Sequence, residues 1–233
     1  MSVNQRYDEP WGEPRSGSLQ DQWPQYVRGH VVELGAASGR NAVLLPPTSS
    51  YVGLERDDAL LQRGRVQGLD LRPCDLSRPE QLRAQRDAIA SGDTILALDV
   101  FEHLLDPAEV IRQVISLAAS RHRWIISVPN SVFASARLEI LFGRFPRRAS
   151  GLFDSTHRQF YTWSTFQTHL LSVLGTEAVT LRGTAVPLGG ARLARRPLTA
   201  RAIPLLENLV ASLARKSPKL LAYEWLAVVD IGV

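Results

Sequence analysis

Val31-Val32-Glu33-Leu34-Gly35-Ala36-Ala37-Ser38-Gly39 is the stretch that decides the fold. An apolar β-type run ends in a glycine, crosses small residues and meets a second glycine where an amphipathic stretch begins. Glycine at such a junction lets the backbone turn sharply and approach a ligand closely. Outward from it, β-type runs recur at His30–Leu34, Tyr51–Glu55, Gln67–Leu69, Thr94–Asp99 and Arg123–Val128. Helices are predicted between them, over 39–45, 57–63, 79–90 and 107–119. Ser77 with Pro79, and Asp106 with Pro107, mark two of the helix starts, because proline fixes φ for the first turn and needs no donor there. Strands that alternate with helices predict a doubly wound parallel sheet, with ligands at the carboxyl ends of its strands.

Beyond residue 130 the rhythm changes. A helix-like stretch at 131–142 runs into a Gly/Arg/Pro-rich segment at 143–157, and together they predict a helical lid insertion over about 131–160. A helix over 164–174, a strand near 177–182, a loop over 183–198, a helix over 199–216 and a strand over 222–231 follow. The two late strands bring the sheet to seven and predict an antiparallel C-terminal hairpin. Residues 1–28 are read as an N-terminal arm and lead-in helix, and 29–233 as one domain.

Composition narrows the class. Of 233 residues, 45% are hydrophobic and 21% charged, the balance of a cored globular chain rather than a disordered or disulfide-stapled one. The one cysteine, Cys74, has no partner for an internal disulfide, which points to a reducing, cytoplasmic setting. No run is long and apolar enough to span a bilayer. Residues 1–119 hold 12 Lys/Arg against 17 Asp/Glu, while residues 120–233 hold 15 against 6. The basic second half is preferentially read as an Arg-rich solvated surface; the alternatives are attraction of an anionic substrate, a phosphate, RNA or, in peripheral contact, a membrane surface.

Glu55 closes the second predicted strand, twenty residues after Gly35. A carboxylate at that place accepts both hydroxyls of an adenosine ribose. A dinucleotide loop wants G-x-G-x-x-G so that a helix N-terminus receives the pyrophosphate. Here the pattern is E-x-G-x-A-x-G, opened by Glu33. A carboxylate repels a pyrophosphate but suits the ammonium of an amino acid, which favours S-adenosylmethionine over a nicotinamide dinucleotide.

With VVELGAASGR, YVGLERD, the acid of RPCDLS, and LALDVFEHLLDP followed by WIISVPN in order, the chain resembles the class I S-adenosylmethionine-dependent methyltransferases over about residues 29–175. Ala37 departs from the family, which usually has glycine there. The resemblance implies a Rossmann-like fold in which Gly35, Ala37 and Gly39 line the methionine part of the cofactor. It also implies that Glu33 orients the ammonium, that Glu55 holds the ribose, and that Asp75 accepts from the adenine amino group. The alternative for Asp75 is a helix N-terminal acid near Pro79.

Asp99-Val100-Phe101-Glu102-His103 follows the fourth strand, where its polar groups emerge beside the expected position of the cofactor methyl. His157 lies far along the chain, in the predicted lid. The segment and this histidine resemble those of ubiquinone-type O-methyltransferases and of small-RNA 3′-end 2′-O-methyltransferases. That resemblance implies a divalent ion (Mg²⁺, Mn²⁺ or Zn²⁺) held by Asp99, Glu102, His103 and His157, with Asp99 also on the cofactor side. A metal-bound hydroxyl gives up its proton more readily. The preferred alternative makes His157 or His103 a general base beside Asp99, with a rate that rises through the ordinary histidine pKa of ~6.5. Glu102 alone is equally well read as a cap on the next helix, and His30, His122 and His169 as structural.

Arg144, Arg147 and Arg148 cluster in the lid and are candidates to hold an anionic acceptor. Leu138, Ile140 and Leu141 are expected to pack on the sheet. The function that fits is transfer of a methyl group to an oxygen of a small molecule or glycan in a biosynthetic pathway. Two competitors are 2′-O-methylation of RNA, although no aromatic-and-basic platform supports nucleic acid as partner, and a non-catalytic cofactor-binding module.

Overall fold

The computed structural model describes residues 17–145, 147–148, 151–175, 179–185, 209, 212–214 and 216–232. Its sheet has seven strands: β1 (Val31–Leu34), β2 (Tyr51–Glu55), β3 (Leu71–Pro73), β4 (Thr94–Leu98), β5 (His122–Pro129), β6 (Val179–Gly183) and β7 (Glu224–Ile231). They lie in the order β3-β2-β1-β4-β5-β7-β6. The first five run parallel, and β7 inserts antiparallel between β5 and β6. This is the expected α/β architecture. The direction of winding reverses between β1 and β4, which opens a crevice at their carboxyl ends.

Both faces of the central strands are buried, so β1 and β4 are apolar almost throughout. One face carries Val32, Leu34, Ile95, Trp124 and Ile126 against α5 (Pro107–Leu117) and α7 (Trp163–His169), which contribute Val110, Ile111, Val114 and Phe166. The other face carries Val31, Leu96, Ile125 and Leu226. It is covered by Leu19 of α1 (Leu19–Gln22) and by Trp23. The lead-in helix therefore fills a layer position on the sheet. Leu44 and Leu45 pack against the same cluster, and residues 40–44 form a 3₁₀ helix in place of the expected helix at 39–45.

Two further boundaries shift. The third strand lies at 71–73 rather than 67–69, because residues 67–69 close α2 (Asp58–Val66). Gly68 adopts φ +82°, and Leu69 donates to the Gly64 carbonyl, a closure that favours glycine. The expected helix at 79–90 is broken at Gln85 into α3 (Pro79–Ala84) and α4 (Arg86–Ala90). The expected loop at 183–198 and helix at 199–216 fall mostly outside the described residues.

The inserted segment carries α6 (Ala134–Leu141). Ala136, Leu152 and Phe153 form a small core of their own with Phe133, Phe160 and Tyr223. Leu138, Ile140 and Leu141 do not pack on the sheet as expected; they are 57, 45 and 77% exposed. The short helix has only one buried residue, Ala136, because this satellite core takes its apolar contacts from the segment after it. A last short helix, α8 (Pro218–Leu221), leads into β7.

Candidate functional site

A cavity of about 840 Å³ occupies the crevice. Its walls come from the β1 and β4 ends, from Leu19 and Gln20 of the lead-in helix, and from residues 151–158 of the insertion. On the side of β3 it adjoins a recess of about 520 Å³, and the two share Arg56, Asp57, Cys74 and Asp75.

The glycine loop forms one wall. Gly35 adopts φ +67°, and a Cβ there would stand 2.8 Å from Val100 Cγ2. Ala37 has φ +50°, in the left-handed region that costs a side chain about 1–2 kcal/mol. Its N–H donates to Glu55 Oε2 at 2.9 Å, while Arg56 and Asp57 donate their N–H groups to Oε1 at 2.8 and 2.9 Å. The Glu55 carboxylate is thus aimed by three backbone donors at the cavity wall it helps to form. Gly39 stands behind the loop, with Leu69 and Leu71 against the place of its missing Cβ.

Glu33 is 2% exposed. Both carboxylate oxygens are taken, one by Asn41 Nδ2 and the other by the Tyr51 hydroxyl, each at 2.5 Å. Burial pushes its pKa up to about 7, against the opposing pull of these two bonds and of Arg40. The cavity is lined by Arg40 and Asn41 rather than by Glu33 itself, so this acid reaches the cavity through Asn41. Asp75 lies at the β3 end of the wall. Its Oδ1 accepts from the Ser77 N–H at 2.9 Å, and Arg78 stands 3.6 Å from Oδ2.

The opposite wall is acidic. Asp99 ends β4 in the left-handed region, at φ +53°. It exchanges two hydrogen bonds with Ser127 of β5: its N–H donates to Oγ at 3.0 Å and its Oδ1 accepts from Oγ at 2.7 Å. Burial holds the Asp99 pKa above the usual range, opposed by the Ser127 bond and by Arg40. Glu102 is 1% exposed, and neither of its carboxylate oxygens has a hydrogen-bond partner. Burial first, and then the nearby Asp99, drive its pKa well up. Glu224, at the start of β7, is raised well above its ordinary value by the same two causes. Like charges crowded on one buried wall disfavour the charged form of each carboxyl.

Two imidazoles face this wall. The rings of His103 and His157 meet edge to face, 4.9 Å between centroids, and Thr156 Oγ1 lies 3.1 Å from His103 Nδ1. His157 is 8% exposed. Burial, reinforced by His103, lowers its pKa to about 4, while burial also lowers that of His103. Both shifts favour the neutral imidazole. One ligand atom from each of Glu102, His103 and His157 falls within 4.8 Å of the others. Asp99 is not part of that group; its Oδ1 accepts from Ser127.

Of Arg144, Arg147 and Arg148, Arg147 alone joins the wall. Its guanidinium donates to the Ser155 and His157 carbonyls at 2.5 and 3.2 Å. Arg148 instead pairs with Glu139, and Arg144 is exposed at the end of α6. Asn41, Tyr51, Ser127, Thr156 and Glu224 went unread in the sequence. Only Glu224 left a signal there, as an acid inside the apolar run of 222–231.

The model of a family described as a methyltransferase domain matches residues 16–172. No curated protein matches the chain in sequence. Among solved structures, it is similar to an S-adenosylmethionine-dependent methyltransferase from Archaeoglobus fulgidus, with 14% identity over 87% of this chain and 86% of that one, at a TM-score of 0.53. A possible histamine N-methyltransferase from Thermotoga maritima gives 12% identity over 89% and 83%, at 0.55. Magnesium protoporphyrin IX methyltransferase from Synechocystis, with S-adenosylhomocysteine bound, gives 14% over 87% and 74%, at 0.50. At these identities the likeness is one of fold.

Proposed function

The chain belongs to the methyltransferase-domain family and is an S-adenosylmethionine-dependent methyltransferase, and from that premise we propose that it methylates an oxygen of a small-molecule or glycan acceptor in a biosynthetic pathway. The observation that carries this reading is the pair of imidazoles, His103 and His157, in the cavity wall beside the unpartnered Glu102. The buried Cys74, its thiol pushed up to about 12 by burial, suits a cytoplasmic setting.

The residues present fit the cofactor. The turn at Gly35 leaves room for close approach, and Glu55 keeps lone pairs for two ribose hydroxyls beyond its three backbone donors. Asp75 stands at the β3 end for the adenine amino group, and Glu33 orders Asn41 on the methionine side. When bound, the cofactor supplies an electrophilic methyl group. His157 then takes the proton that the acceptor hydroxyl releases, with His103 and Thr156 fixing the ring's surroundings. Arg147 contacts the acceptor from the rim. Catalysis is otherwise positioning.

A second reading rests on the Glu102, His103 and His157 cluster. Two imidazoles and an unpartnered carboxylate are a fitting donor set for a divalent ion. These residues would hold it, and the ion would lower the pKa of the acceptor hydroxyl.

Release of S-adenosylhomocysteine against a panel of hydroxylated small molecules and glycans, with their amino analogues, tests the main reading. Hydroxyl acceptors should turn over, and His157→Ala should slow them by ~10²–10⁴-fold without weakening cofactor binding. Activity abolished by a chelator and restored by Mg²⁺, Mn²⁺ or Zn²⁺ would shift the assignment to the ion. Turnover of amines alone would overturn the oxygen acceptor.

A further inference from the structure

α6 and the residue after it expose an apolar stripe. Among the described residues eleven large hydrophobic side chains are exposed, and five of them fall between residues 138 and 145. Leu138, Leu141 and Phe142 stand at spacings of three and four residues, 57, 77 and 74% exposed, while Phe145, beyond the left-handed Gly143, meets Phe153 and Phe160 edge to face. On a helical path that spacing gathers side chains on one side, and a helix in a soluble protein normally turns such a stripe inward. Here the inward position belongs to Ala136, which is buried in the satellite core.

The stripe has a basic rim. Arg137, Arg144 and Arg147 are exposed. Arg137 donates from Nε to the Val132 carbonyl, and Arg147 to the Ser155 and His157 carbonyls, so these bonds fix the guanidinium groups without cancelling their charge. The single acid in the stretch, Glu139, is used by Arg148.

From this combination we infer that α6 and its C-terminal turn dock on an anionic bilayer surface. Leucine and phenylalanine enter the acyl boundary while arginines at the rim meet anionic headgroups. A second copy of the chain is the poorer occupant, because a two-fold contact across this stripe sets its arginines against the same arginines. The satellite core beneath α6 includes Leu152 and Phe153, next to the cavity residues 154–158, so the docked helix and the cavity wall rest on one small core.

The test is sedimentation of the full-length protein with vesicles of phosphatidylcholine alone, and with vesicles containing about one-third phosphatidylglycerol. Binding should require the anionic lipid and fall steeply with salt. Leu141→Glu combined with Phe142→Glu should lower the bound fraction by about tenfold or more. Both positions are exposed, and S-adenosylhomocysteine affinity should stay at the wild-type value, which shows that the variant folds. Arg144→Gln should weaken binding less and flatten its salt dependence. Failure to bind anionic vesicles, or equal binding by the double variant, overturns the assignment. So does light scattering that shows a dimer which the double variant dissociates, since the stripe would then belong to a second copy.

Discussion

Ala37 sits where glycine is the easier residue. Its φ of +50° is held by the N–H bond to Glu55 at 2.9 Å, and a Cβ in that region costs about 1–2 kcal/mol. Ala37→Gly removes the strain and loosens the unfolded chain by somewhat less. The expected result is a stability gain of up to about 1 kcal/mol, seen as a rise of roughly 2–4 °C in Tm. A drop in Tm would mean that the loop relaxes elsewhere. The partner residue makes a sharper case. Glu55→Gln sets an amide N–H₂ against backbone donors and removes the charge that strengthens its hydrogen bonds. Cofactor affinity should fall by about 1.5–3 kcal/mol, or roughly 10–150-fold, by calorimetry. Unchanged affinity would remove Glu55 from the cofactor site. His157 changes an expectation as well. Its ring is neutral down to about pH 4, so the rate should show no histidine step near pH 6.5 and should fall only as pH drops toward 4. A step that stayed at 6.5 would assign the base elsewhere.

At the scale of elements, what could be read in the sequence was what repeats or what is local. The Val/Leu runs of β1, β2, β4 and β5 and the Asp106–Pro107 start of α5 are short-range patterns, and they hold within a residue or two. The third strand was misplaced because Gln67-Gly68-Leu69 looks extended until Gly68 is seen closing α2. Site residues followed the same divide. Glu55 and His103 stand in recognisable local patterns. Asn41, Tyr51, Ser127 and Glu224 matter only through pairings across the sheet, and no spacing announces those. Ser127 makes the point: β5 places its hydroxyl opposite Asp99, fully buried, where it serves as both donor and acceptor. Ser127→Ala leaves the Asp99 N–H to the weaker 3.3 Å bond with the Ser127 carbonyl, and leaves the carboxyl unbonded. It should cost about 1–3 kcal/mol in urea unfolding, with the loss appearing in stability whether or not cofactor is present. A neutral substitution would show that the β4 end holds its left-handed turn without this pair.

Across the whole molecule, buried ionisable groups pull stability in opposite directions with pH. Glu33 is raised from 4.5 to about 7. Its folded form keeps a proton that the unfolded chain has lost, so its contribution is full below pH 4.5 and disappears as pH rises through 7. Asp99, Glu102 and Glu224 are raised too and act in the same sense. His157, lowered from 6.5 to about 4, works the other way. Its contribution is full above pH 6.5 and is lost as pH falls to 4, and the lowered His103 and His122 add to that loss. Through Glu33, whose value is raised to about 7, the cofactor-free protein should lose stability as pH rises from about 5 to 8. Glu33→Gln isolates one part of that slope. The amide keeps an acceptor for the Tyr51 hydroxyl and can pair with Asn41 once the Asn41 amide is reversed, but it carries no charge to bury. Between pH 5 and pH 8 the variant should gain about 3 kcal/mol on the wild type in urea unfolding, the equivalent of roughly two pKa units. Saturating S-adenosylhomocysteine should shrink that gain, because its ammonium next to Asn41 would favour ionised Glu33 and lower its pKa toward 4.5. A gain that is the same with and without the ligand would place the ammonium away from Glu33 and leave this acid as a purely structural tie between β1, Asn41 and Tyr51.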